Sequence, residues 1–253
     1  MIPFLRGTYR FFVFFFSAWW VLIKYFFFRL TRGRDIDHAL DIRRRWLQYL
    51  LKALGVRTDF RGEIPQQPSL LIGNHRSYLD PMPMLTQILA FPVVKAEVTK
   101  WPLVGYGTSE TGVIWVQRSS KDSRKQTREA MKELINTTGH HILIFPEGTT
   151  HKEPTTRELR PGAFIIAASE NIPVVPFVIE YINPEVAWVG RDKFIPHFIK
   201  TFGNKYTDAV LWYGPAIRSD DPMDLRAQAK AWIDEHLLKI QSERNERSEV
   251  SSE

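Results

Sequence analysis

Apolar and polar positions change rhythm near residue 55. Before it, residues 11–23 are almost wholly apolar, and after Lys24 the run resumes as Tyr25-Phe26-Phe27-Phe28. A second stretch, 38–54, places Leu40, Ile42, Trp46, Leu47, Leu50, Leu51 and Leu54 near helical spacing, with Arg43, Arg44, Arg45 and Lys52 interleaved and Gly55 as a stop. From Val56 onward, short apolar runs alternate with helical patterns. The runs predict strands at 58–61, 69–73, 93–98, 112–116, 141–145, 174–181 and 209–214. Helices are predicted at 81–90, 102–109, 121–137, 161–170 and 222–241. Runs without a polar alternate, such as Ile142-Leu143-Ile144-Phe145, predict strands covered on both faces. The fold class is therefore α/β, a largely parallel or mixed sheet of about seven strands flanked by helices and preceded by a membrane-associated helical hairpin.

The resulting division is 1–55 as membrane-anchoring helices, 56–241 as the catalytic-type domain, and 242–253 as a disordered Ser/Glu/Arg-rich tail. As a helix, 11–23 spans roughly 20 Å and 11–28 roughly 27 Å, against a hydrocarbon core of about 30 Å. Lys24 at a bilayer centre costs about 2.5–3.5 kcal/mol, but it lies five residues before Arg29 and can snorkel. Basic residues flank both ends of the run, which favours a shallow or re-entrant anchor. No small-x-small cleavage site follows it, so a retained anchor is expected rather than a signal peptide. The second stretch suits either a lipid surface or packing on the protein's own core.

Charge sharpens this picture. Of the net +6, residues 1–61 hold 12 Lys+Arg against 4 Asp+Glu, leaving −2 for the other 192 residues. A nucleic-acid binder needs a basic stripe across its folded domain, whereas an anionic membrane surface matches a basic N-terminal segment. The chain has no cysteine, which excludes disulfides, thiolate metal sites and a cysteine nucleophile, and fits a catalytic domain on the cytoplasmic side of a membrane. No metal or bound cofactor is expected.

Candidate chemistry lies where strands end. Asn74-His75-Arg76-Ser77-Tyr78-Leu79-Asp80 follows the 69–73 strand, with Asp80 expected as helix N-cap and Pro81 at the first helical position. A neutral imidazole takes a proton from a hydroxyl when a carboxylate holds its other nitrogen, so His75 and Asp80 suit general-base work. The plainer reading, Asp80 as cap alone, stays open on these residues. Phe145-Pro146-Glu147-Gly148-Thr149-Thr150 leaves a second strand end, where Gly148 lets backbone amides approach a ligand and Glu147 can hold a hydroxyl. Arg118 ends a third strand with a guanidinium suited to phosphate, and Lys95 and Lys100 add two cations beside it. Ile172-Pro173-Val174-Val175-Pro176-Phe177 reads as apolar wall.

Taken in order over roughly residues 50–215, these stretches resemble the glycerolipid acyltransferases, specifically the 1-acyl-glycerol-3-phosphate acyltransferases. The resemblance implies acyl transfer from acyl-carrier protein or coenzyme A thioester to the free hydroxyl of lysophosphatidic acid, giving phosphatidic acid. His75 would be the general base and Asp80 its orienting partner. Arg118, Lys95 and Lys100 would hold phosphate, Glu147, Gly148 and Thr149 would position the acceptor, and 172–177 would help line the acyl site. The family often carries arginine where this chain has Thr150, which leaves that phosphate contact to Lys152 or Arg160. Glycerol-3-phosphate or another lysophospholipid is the alternative acceptor, and a non-catalytic lipid-binding protein of the same fold is the third reading.

Overall fold

A computed structural model describes residues 2–96, 107, 110–116 and 121–250. Two helices, α1 (Pro3–Arg32) and α2 (Ile36–Leu54), precede a seven-stranded sheet. Its strands are β1 (Val56–Arg61), β2 (Leu70–Gly73), β3 (Ala90–Lys95), β4 (Ile114–Val116), β5 (His141–Ile144), β6 (Val174–Tyr181) and β7 (Thr207–Tyr213). They lie side by side in the order β1-β7-β6-β2-β5-β3-β4, all neighbours parallel except β6 and β7. The remaining helices are α3 (Pro81–Gln87), α4 (Lys121–Thr138), α5 (Gly162–Ser169), α6 (Phe194–Gly203) and α7 (Pro222–Val250).

Burial on both faces explains the unbroken apolar runs. Along β2, Leu70 and Ile72 pack with α4, α5 and α7, while Leu71 packs with α2, α3 and α6; β5 divides likewise into Ile142 and Ile144 against Leu143. Alternate residues point to opposite faces, so a strand between two helical layers has no polar position to spare.

Several boundaries differ from those predicted. α1 begins well before residue 11 because Arg6 and Arg10 do not break it. They turn inward instead, Arg6 donating to the Gly203 carbonyl at 3.0 Å and Arg10 to those of Phe202, Asn204 and Lys205 at 2.9, 2.6 and 3.1 Å. This satisfies carbonyls that the end of α6 would otherwise leave unpaired. α2 ends as expected at Gly55, in the left-handed region at φ 75°, but its apolar face is committed to the protein's own core. Arg43 is also internal: it donates to the Thr111 carbonyl at 2.7 Å and to that of Ala90, and burial lowers its pKa to about 9.

α6 was not anticipated, since Pro196 and ten residues of mixed character hide its periodicity. Pro196 falls in the first turn, where its missing N–H costs no helix bond. The tail expected to be disordered from Ser242 is helical as far as Val250. It holds no Gly or Pro to break α7, and Arg61 grips Glu243 in a bidentate pair at 3.1 and 2.8 Å. The helix predicted over 102–109 lies largely outside the described residues, as do Lys100 and Arg118.

Among the described residues, α1 alone is long and apolar enough to cross a membrane. One side packs on α6 and α2 through Phe11, Phe14 and Tyr25. The other presents a continuous stripe of Phe4, Leu5, Phe12, Phe16, Trp19, Trp20, Phe27 and Leu30 to the surroundings.

Candidate active site

Register brings two of the predicted stretches together. β2 and β5 run parallel with Ile72 opposite Ile144, so the chain leaves both strands at the same sheet edge, where α/β proteins keep their ligands. β6 lies on the other side of β2, with Gly73 opposite Phe177. A Cβ at Gly73 would fall 2.3 Å from the Phe177 ring, which accounts for glycine there. Beyond it, the Asn74 amide continues the pairing by side chain, donating to the Ile179 carbonyl at 2.7 Å and accepting from its N–H at 2.9 Å.

Asp80 stands at the start of α3 but makes no side-chain cap, correcting the plainer reading. Its fully buried carboxylate turns back into the loop. Oδ2 accepts from His75 Nδ1 at 2.6 Å and from the Arg76 and Ser77 N–H groups at 2.6 and 2.8 Å; Oδ1 accepts from the Tyr181 hydroxyl at 2.7 Å. Four donors on one carboxylate fix its orientation and assign the His75 proton to Nδ1, leaving the Nε2 lone pair for chemistry. The imidazole stacks on Phe145 at 4.4 Å between centroids, and its side chain is 22% exposed. It is thus the member of the pair that a ligand can reach.

Glu147 occupies a different place from the one expected. Its side chain is fully buried, and both oxygens serve the protein: Oε1 accepts from the His75 N–H at 2.9 Å, and Oε2 from the Arg157 N–H at 2.7 Å and from His151 Nε2. Glu147 buttresses the histidine's backbone and has no exposed oxygen to offer an acceptor. Gly148 takes a left-handed φ of 71° and closes a turn onto the Phe145 carbonyl at 3.1 Å. Thr149 is exposed beside it. Thr150 does not imitate an arginine either, because its hydroxyl donates to the Trp188 carbonyl. Lys152 pairs with Glu185 at 2.9 Å. Lys95 ends β3, three residues beyond the Pro92–Leu143 pair and so near the height of Pro146, with its side chain exposed. The 172–177 stretch is buried, as an apolar wall should be, and Phe177 bears on the site through its edge contact with Phe145 at 5.7 Å.

A buried network that the sequence reading missed supports these residues. Arg76 bonds Glu180 Oε2 at 3.1 Å through both Nε and Nη2, and its Nη1 lies 3.2 Å from the His151 carbonyl and 3.3 Å from His151 Nδ1. The Glu153 N–H also donates to His151 Nδ1 at 3.2 Å, so His151 carries its proton on Nε2, facing Glu147. Burial, followed by the charge of Asp80, pushes the Tyr181 hydroxyl well above the usual tyrosine range. It therefore remains a donor. A charged and a phenolic residue closing an otherwise apolar strand were the available signal for Glu180 and Tyr181. Nothing local marked His151.

A second wall adjoins the loop. The Trp188 N–H donates to the Arg76 carbonyl at 2.9 Å, and Tyr78 meets Trp188 and Phe194 edge to face at 5.5 and 5.0 Å. Aromatic contacts run on to Phe198 and to Phe14 of α1.

A histidine oriented by a carboxylate stands at the edge of a mixed sheet, and among the described residues no serine or cysteine is hydrogen-bonded to its ring. Residues 56–180 match the family described as Acyltransferase, and the chain belongs to that family. It is 32% identical over 172 residues to the lyso-ornithine lipid O-acyltransferase of Pseudomonas aeruginosa, covering 65% of this chain and 66% of that one. It is also 32% identical over 196 residues to lysophosphatidylcholine acyltransferase 1 of Danio rerio (70% and 37%), and 27% identical over 154 residues to 1-acyl-sn-glycerol-3-phosphate acyltransferase alpha of Homo sapiens (59% and 54%). These matches therefore span between 37% and 66% of the relatives' own lengths. The fold is shared with the 1-acyl-sn-glycerophosphate (LPA) acyltransferase PlsC of Thermotoga maritima, with a TM-score of 0.69 at 18% identity over 94% of this chain and 95% of that one.

Proposed function

We propose that the protein transfers a fatty acyl group from an acyl-carrier protein or coenzyme A thioester to the free hydroxyl of lysophosphatidic acid, forming phosphatidic acid. The observation that carries this reading is the His75–Asp80 pair at 2.6 Å, which leaves Nε2 as the ring's lone-pair nitrogen on a side chain that is 22% exposed. His75 Nε2 takes the proton of the acceptor hydroxyl as its oxygen attacks the thioester carbon. The carbon–sulfur bond then breaks, and the imidazolium returns the proton to the leaving thiolate. Such general-base assistance is worth about 10²–10⁴-fold, the rest coming from alignment of the two substrates. Lys95, Lys100 and Arg118 are the cations proposed for the acceptor's phosphate.

α1 supplies the membrane attachment in this reading. At 30 residues it is about 45 Å long, more than a hydrocarbon core of about 30 Å, and one side of it rides on the protein itself. It lies along a leaflet with its aromatic stripe in the lipid and the catalytic domain on the cytoplasmic side. Extracting a lysolipid into water costs about 0.8 kcal/mol per CH₂, a step avoided by an enzyme docked at the surface.

A second acceptor class is favoured by one observation. The Thr150 hydroxyl turns to Trp188 where the resemblance implies an arginine for phosphate, and a relative at 32% identity is named as a lyso-ornithine lipid O-acyltransferase. Purified protein offered each acceptor and each thioester separates the two. His75→Ala should lower transfer by at least about a hundredfold, with the folded secondary structure and vesicle binding retained even though loss of the bond to buried Asp80 lowers the melting temperature. Retained transfer would remove His75 as the base.

A further inference from the structure

α6 is two-sided. Phe198 and Phe202 face the core, whereas Ile195 is 51% exposed, Pro196 is exposed and Ile199 is half-buried. This outer edge lies beside the start of α1, where Phe4 is 65% exposed. Between them runs an open groove of about 540 Å³ lined chiefly by Pro3, Phe4, Ile195, Pro196, Ile199 and Gly203.

The two helices form one rigid unit. At Gly7 a Cβ would stand 2.1 Å from the Ile199 carbonyl oxygen, and at Gly203 2.8 Å from that of Pro3, so both glycines permit backbone contact. Arg6 and Arg10 tie α1 to the carbonyls at the end of α6. Any plane that accepts the aromatic stripe of α1 therefore has the outer edge of α6 fixed alongside it. Charge agrees with this placement. α6 contains no acidic residue, and exposed Arg191 and Lys193 flank Asp192 before it, while exposed Lys205 follows it. An apolar edge with a cationic fringe suits the acyl chains and head groups of an anionic leaflet.

We propose that α6 is a second membrane-contacting helix, and that the groove between α6 and the start of α1 takes an acyl chain of an anionic phospholipid in the leaflet on which α1 lies. The inference rests on the reading of α1 as membrane-docked. Its consequence concerns the site: the segment leading into α6 carries Trp188, bonded to the Arg76 carbonyl and to Thr150. Seating α6 in lipid thus brings the His75 loop to the interface.

The absence of cysteine makes the test clean. Ile195→Cys, Trp19→Cys on α1, and Leu238→Cys on α7, where Leu238 is 50% exposed, are each labelled in the full chain with an environment-sensitive fluorophore. They are then mixed with phosphatidylcholine–phosphatidylglycerol vesicles with and without brominated acyl chains. Labels at 195 and 19 should be quenched by bromine, and the label at 238 should not. A label at 195 that stays in water while that at 19 is quenched overturns the inference and leaves α1 docking intact. An unquenched label at 19 overturns both. A change at 195 that follows protein concentration instead of vesicles places a second copy in the groove and likewise overturns it. Ile195→Asp should weaken partitioning into these vesicles about tenfold, with Leu238→Asp neutral; unchanged partitioning would also count against the inference.

Discussion

Tyr181→Phe removes one oxygen and little else. The ring stays packed in the core, but Asp80 Oδ1 loses the donor at 2.7 Å while Oδ2 keeps His75 Nδ1 and two backbone N–H groups. Both residues are buried, so water does not readily take the vacant position. A hydrogen bond to a buried charge contributes about 1.5–3 kcal/mol. At roughly 2–4 °C per kcal/mol for a chain of this size, the melting temperature should fall by about 3–12 °C. Freed at one oxygen, the carboxylate no longer holds the His75 ring in a single orientation, and kcat should fall by about tenfold, with KM unchanged because Tyr181 touches no substrate. The assay pairs a thermal melt with steady-state acyl transfer at saturating acceptor. Unchanged melting and unchanged kcat would refute the role of the hydroxyl. A rise in KM alone would instead place Tyr181 in contact with the lipid.

Three further outcomes follow from the same structure. Glu147→Gln keeps shape but turns an NH₂ toward at least one of the three donors that Glu147 accepts; it should destabilise by about 1–3 kcal/mol and lower kcat more than it raises KM, as read by melting and kinetics. Burial depresses His141 to a pKa of about 4, with the neighbouring His140 adding to the effect. The unfolded chain, where histidine titrates near 6.5, binds the extra proton first. Stability is therefore full above about pH 6.5 and falls toward pH 4, by up to ~3 kcal/mol, and denaturant titrations should show His141→Leu flattening that slope. Gly7→Ala forces a methyl onto the Ile199 carbonyl; it should cost about 1–3 kcal/mol and raise hydrogen exchange in α1 and α6 together, whereas normal protection would mean the helices are not in backbone contact.

The sequence carried the parts of this protein that depend on near neighbours. Continuous apolar runs marked β2, β5 and β6 because a strand buried on both faces has no polar alternate. Gly55 marked the end of α2, and the spacing of His75 and Asp80 fits the single turn that joins them. The aromatic N-terminal run announced a surface that water would not solvate. Each is a local consequence of burial or backbone geometry, so it is written in consecutive residues.

What the residues did not disclose was convergence. Tyr181 reaches Asp80 from 101 residues away because β6 pairs with β2 in one register. Glu147 has the composition of a ligand-binding acid and becomes a buttress because β5 delivers it beneath the His75 N–H. Arg10 and Arg43 look like solvated cations until distant carbonyls claim them. Strand order and helix docking are settled by the summed packing of the whole chain, and no local pattern encodes which far-off donor will meet a given acceptor.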